Sequence, residues 1–230
     1  MASGKQFETW CGKPYEMKKS KFSENKSIMH ISDNMSGKMH DIPSVSTSCM
    51  CNPICKARMK NGNSICASCF AVATINHYKT LGVAMENNYE LLNADVLPFE
   101  MLPNLKKTVE ITRIESFGDV ASETQAENYH RFITKNPHVM FAWWSKNMKI
   151  IEPIFNRLGK PSNVVMIESS PMVNVEIKPS SWIVDKVFTV FDDEYIKAHN
   201  VEINCGARDC NTCRRCYKKS TEKSVKERLK

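Results

Sequence analysis

The chain predicts an α/β fold built on parallel strands, either an incomplete (β/α) barrel or an open sheet. Three observations lead there. From about residue 108, β-branched alternating segments take turns with segments of helical period. The 230 residues are few for eight βα units, since a complete barrel typically takes about 250 residues. Cysteine-rich loops near both ends shorten the usable chain further: five of the ten cysteines fall between Cys49 and Cys69, and four between Cys205 and Cys216.

Residues 1–36 read as a polar, Lys-rich arm, in which Trp10 and Tyr15 are candidate anchors and Cys11 is an isolated thiol. KMHDIPSVST (38–47) reads as a short extended segment broken by Pro43. After the first cysteine loop, Ala67, Phe70, Ala71, Thr74 and Tyr78 recur at helical steps, so a helix is expected from Ile65 to about Thr80, with Gly82 as its stop. A second helix is expected over about Val83 to Asn93. TVEITRIES (108–116) alternates as a strand does. Ser122 with Gln125 makes a capping box for a helix running to about Lys135. HVMFAWWS (138–145) is a second strand, and Asn147 to Leu158 a helix containing Pro153 and ended by Gly159. NVVMIES (163–169) is a third strand with no helical crossover after it. WIVDKVFTVFD (182–192) supplies further strand, and Asp193 to His199 a short helix. The basic stretch 218–230 reads as a charged tail helix, leaving 37–217 as the body.

Composition narrows the function classes. No apolar run of membrane-spanning length exists, and the N-terminus lacks the apolar core of a secretory signal. A reducing cytoplasm is therefore expected, where dense cysteines speak for metal or redox chemistry over structural disulfides. A net charge of +7 is mild and concentrated near the ends. Charge of that kind usually marks a solvated surface. Nucleic-acid affinity through phosphate contacts is the lesser reading, because no aromatic-interleaved RNA motif accompanies it.

Thiolates are soft donors that suit zinc or iron–sulfur clusters, and both want four ligands, commonly in pairs two residues apart. Cys210, Cys213 and Cys216 run at constant steps of three, and Cys205 completes four. In the first tract Cys66 and Cys69 form a pair, and Cys55 is the preferred third ligand, with Cys49 and Cys51 in reserve. The constant step favours iron–sulfur over zinc, although Tyr217 stands where ferredoxin ligation would continue.

The runs NPICKARMK, SICASCFA, RIESFGD, FAWWSKN and INCGARDCNTCRRCYKK, in that order, resemble the phage gene product 88 family over roughly residues 40–230. That family is distantly similar to radical-SAM iron–sulfur proteins. The resemblance implies a [4Fe-4S] cluster on a partial barrel in a host cell, with Cys55, Cys66, Cys69, Cys205, Cys210, Cys213 and Cys216 as ligands. The radical-SAM cluster loop is C-x-x-x-C-x-x-C. Here ten residues separate Cys55 from Cys66, and no Gly-rich methionine-binding run follows. Both departures count against S-adenosylmethionine as a cofactor.

Glu115, Asp119, Lys146 and Glu168 fall at or just beyond the carboxyl ends of successive strands, where barrels carry chemistry, and are the candidate catalytic residues. Trp143 and Trp144 end the second strand beside Lys146. His77, His130, His138 and His199 lack ligand spacing. Three functions compete: an iron–sulfur protein with redox or radical-type catalysis on a small molecule, a zinc-stabilised nucleic-acid-binding module using Arg214 and Arg215, and an electron carrier or redox sensor serving a redox partner.

Overall fold

The computed structural model describes residues 19–24, 28–207 and 209–229. Cys11, Trp10 and Tyr15 lie outside the described residues. Six strands form one sheet: β1 (Ser44–Val45), β2 (Ile111–Ile114), β3 (Met140–Ser145), β4 (Val164–Ser169), β5 (Lys186–Phe191) and β6 (Ser224–Arg228). Their order in space is their order in sequence, and every neighbouring pair is parallel. The sheet is open, with β1 and β6 at its edges.

The helices are α1 (Pro53–Met59), α2 (Phe70–His77), α3 (Lys79–Ala94), α4 (Glu123–Lys135), α5 (Met148–Leu158), α6 (Asp193–His199) and α7 (Cys210–Cys213), with a 3-10 turn at Ile65–Ser68. Alternation along the strands gives the sheet two buried faces, and a third, smaller cluster of Cys49, Cys55, Ala71, Ile75 and Met85 lies beside them under the first cysteine loop. Ile114, Phe141, Trp143, Val164 and Met166 meet Leu92, Tyr129, Phe132, Ile151 and Phe155 of α3, α4 and α5 in the larger cluster. Ile111, Ala142, Trp144, Val165 and Ile167 face the other way, where Tyr217, Cys210 and Cys216 pack on them. One face of the sheet is thus covered by helices, and the other by the second cysteine loop.

Ser122 caps α4 as expected, its hydroxyl accepting from the Gln125 N–H at 3.1 Å, while the Gln125 side chain reaches back one residue further, to the Ala121 N–H at 2.8 Å. Gly159 closes α5 at φ +82°, and no helix separates β4 from β5. Three expectations change. Within the tail, Ser224–Arg228 is a strand rather than a helix. SVKER has helical composition, but it docks on β5 in register (Val187↔Ser224 to Phe191↔Arg228), and pairing outweighs propensity. Its charged side chains suit an edge. Gly82 does not end a helix but sits inside α3, where a Cβ would meet Ile75 Cγ2 at 2.8 Å, so it lets α2 pack closely. The described part of the arm belongs to the body: Met29 and Ile31 are buried in the larger core, and Ser32 bridges antiparallel to Ser44 along the edge strand β1.

Candidate functional site

The first cysteine loop follows β1, the second packs across a face of the sheet before β6, and side chains of both line one cavity. Asn52 caps α1, accepting from the N–H groups of Ile54 and Cys55, and turns the first loop inward. The second loop is tied to the body by the Cys210 N–H to Lys38 O bond and the Cys205 N–H to Lys226 O bond, both 2.9 Å. Asp209 caps α7, accepting from the N–H groups of Asn211 and Thr212.

A cavity of about 510 Å³ opens between the loops, within the range of small-molecule sites. Eight cysteines line it: Cys49, Cys55, Cys66 and Cys69 from the first tract, and Cys205, Cys210, Cys213 and Cys216 from the second. All nine described cysteines are free thiols. The Cys49 thiol donates to the Cys69 sulfur, the Cys55 charge raises Cys49, and the Cys66 charge raises Cys55. Cys205, Cys210, Cys213 and Cys216 likewise act on one another. These are two sets of four. Cys49 therefore takes a place held in reserve. Cys51 does not line the cavity but lies near Ser48, Glu86 and Glu90. Among the described residues, no group of three or more His, Cys, Asp or Glu side chains is drawn together around a single metal-ion position.

The thiols differ in acidity. The bond from Cys49 pulls Cys69 down to about 6, assisted by the N–H groups of Ala71 and Val72 at the start of α2 and by the Lys146 charge. Burial pushes Cys55 well up, reinforced by Asp119 and Glu115, and raises Cys216 to about 12 against the pull of Arg113.

The ESFGD run leaves β2 in a strained turn, with Glu115 at φ +58°. The Glu115 carboxylate is buried. It accepts from Tyr129 OH at 2.6 Å, Gln125 Nε2 at 2.8 Å and Thr47 Oγ1 at 2.8 Å. Burial raises its pKa to about 7 despite those donors. Asp119 is a junction. It accepts from Ser145 Oγ (2.6 Å), the Lys146 N–H (3.0 Å) and Arg58 of α1 (3.1 Å). Arg58 in turn reaches Lys146 O and Asn147 Oδ1.

Glu115, Asp119 and Lys146 all line the cavity, but Glu168 does not. Ile167 lies on the cavity face, so the next residue points away, and Glu168 accepts from the Ser180 N–H at 2.8 Å. Trp144 lines the cavity, and Trp143 is buried under the helices. None of the four singled-out histidines lines it, and His130 bonds Gly159 O. Sequence reasoning missed Arg58, Lys38 and Arg113. Parity with Ile111 on β2 was the signal for Arg113. Arg214 and Arg215 are ion-paired with Glu110 and Glu222.

A family model described as gene product 88 matches residues 13–228. The chain belongs to the gene product 88 family. Neither the curated proteins nor the solved structures give a match. In this gene product 88 chain, the matched span contains both thiol sets, the ESFGD turn and every strand. Among the described residues, no helix is long and apolar enough to cross a membrane.

Proposed function

We propose that this gene product 88 protein is an iron–sulfur protein. Each four-thiol set holds a [4Fe-4S] cluster, and the cavity between them receives a small molecule for redox chemistry. The observation that carries the reading is the arrangement of eight free thiols, four and four, around one cavity. The donor set fits: thiolates are the ligands these clusters take, four to a cluster. The lowered pKa of Cys69 favours the ligating form of that thiol at neutral pH.

The donor count bears on the chemistry. A cluster held by Cys49, Cys55, Cys66 and Cys69 has every iron capped, which leaves no open iron for S-adenosylmethionine. Electron transfer to or from a molecule in the cavity is the favoured reading. A simple carrier would need no adjoining pocket, and a pocket adjoins both sets. The sequential order of six parallel strands supports a (β/α) barrel left incomplete, with the site at the strands' carboxyl ends. Nine free thiols support a reducing compartment such as the host cytoplasm.

Anaerobic purification tests the reading. The expected product is brown and bleaches on reduction, with iron and acid-labile sulfide each at about eight per chain, four for each cluster. A colourless protein carrying stoichiometric zinc overturns it.

A further inference from the structure

The charged side chains lining the cavity are mostly paired off. Lys38 bonds Glu227, Arg58 bonds Asp119, and Arg214, Arg215 and Arg228 each have a carboxylate. Two cations are left over. Among the described residues, Arg113 and Lys146 have no carboxylate partner. Arg113 lies flat on Trp144, 4.0 Å from the ring centre, and its one side-chain hydrogen bond is a long contact to Met39 Sδ at 3.9 Å. Its Nε is buried without an acceptor, and so is the Ser116 hydroxyl in the turn that follows the same strand. Both residues line the cavity. Buried donors left unmatched cost about 1–3 kcal/mol each, so a ligand that supplies acceptors is stabilised there.

The geometry points to a binding site for a small carboxylate- or phosphate-bearing anion, held in the cavity by Arg113 and Lys146. This rests on reading the cavity as the substrate site and names the class of molecule it takes. Arg113 is in register with Ala142 of β3, Lys146 directly follows the last residue of that strand, Ser145, and both line the cavity. Four residues at about 3.3 Å each, across a strand spacing of about 4.8 Å, put the two backbones at most about 14 Å apart, a span that two long side chains can close onto one polyatomic anion. A guanidinium fork suits carboxylate and phosphate oxygens, and the ammonium adds a point charge. Each cation also stands near one thiol set, Lys146 by Cys55 and Cys69, Arg113 by Cys210 and Cys216, so a ligand between them lies between the two sets.

The test is calorimetric titration of inorganic phosphate and of citrate into the anaerobically purified full chain, with iron and sulfide measured on the same samples. At least one anion is expected to bind wild type. Arg113→Met and Lys146→Met should each weaken it about tenfold, and Lys149→Met, an exposed lysine off the cavity, should not. Iron and sulfide should stay at the wild-type level in all three. Absence of binding to wild type by either anion at millimolar concentration overturns the inference, as do equal affinities across the variants. Loss of iron with anion affinity kept also overturns it, because the cations would then serve only to offset thiolate charge. Anion binding with the expected variant pattern in a chain without iron leaves the inference standing and removes the cluster reading instead.

Discussion

Gly118 sits where the ESFGD turn crosses the segment after β1, and replacing it with Ala probes the site's packing directly. A Cβ there would lie 2.5 Å from Thr47 O, 2.6 Å from Thr47 Oγ1 and 2.9 Å from Glu115 Oε2. Real Cβ atoms essentially never approach other atoms within 3.0 Å. The nearest atom is backbone, and Thr47 is fully buried, so no flexible side chain can swing away. Relief requires moving Thr47, whose N–H and hydroxyl both donate to Glu115 at 3.2 and 2.8 Å. Overpacking alone costs about 1–3 kcal/mol, and weakening those two bonds adds up to about 1 kcal/mol each. We expect a loss of about 3 kcal/mol, or about 6–12 °C in Tm for a chain of this size. Urea denaturation of the reduced, metal-free protein followed by tryptophan fluorescence measures it, with an unchanged m-value showing that stability alone has moved. Gly62→Ala is the control, since nothing lies within 4 Å of its Cβ position, and it should stay within about 0.5 kcal/mol of wild type. If Gly118→Ala matches that control, the close approach described here is wrong.

Three further outcomes are expected. Glu115 has a folded-state pKa of about 7, above the ordinary 4.5, so the folded protein holds its proton more tightly than the unfolded chain. Stability should therefore fall as pH rises from about 4.5 through about 7, by about 3 kcal/mol, and Glu115→Gln should flatten that slope in denaturation measured across the window. Asp119→Ala leaves Arg58 without its charge partner and should cost about 3 kcal/mol; a double-mutant cycle with Arg58→Ala should show coupling of about 1 kcal/mol or more, and strict additivity would deny the junction. Cys49→Ala should lower iron and sulfide content while Cys51→Ala should not, because only Cys49 stands with the first thiol set; the reverse pattern would reassign the ligands.

The parallel α/β class, the strands β2 to β5 and the helices α4 and α5 were legible in the chain because each carries its own period. Alternation writes a strand into a handful of residues, and Ser122, Gln125 and Gly159 mark helix ends locally. The second thiol set was legible for the same reason: Cys205 to Cys216 lie within one short loop. Strand parity could have separated Lys146 from Glu168, since Ile167 and Trp144 already show which way the cavity lies.

Other features depend on contacts between distant segments, and no local pattern encodes those. Cys49 and Cys51 are two residues apart, and the choice between them is made where Ser48 bonds Met85 O of α3 and sets the turn. The tail's charged residues have helical propensity, yet hydrogen bonding to β5 draws them into the sheet. The pairing of Arg58 with Asp119 spans 61 residues, and the cavity itself exists only because the fold brings together two sets of thiols at least 136 residues apart, Cys69 to Cys205 being the shortest separation. Residue types and local periods set what each segment can form. Long-range packing, which stabilises only the whole, selected which thiols and charges meet.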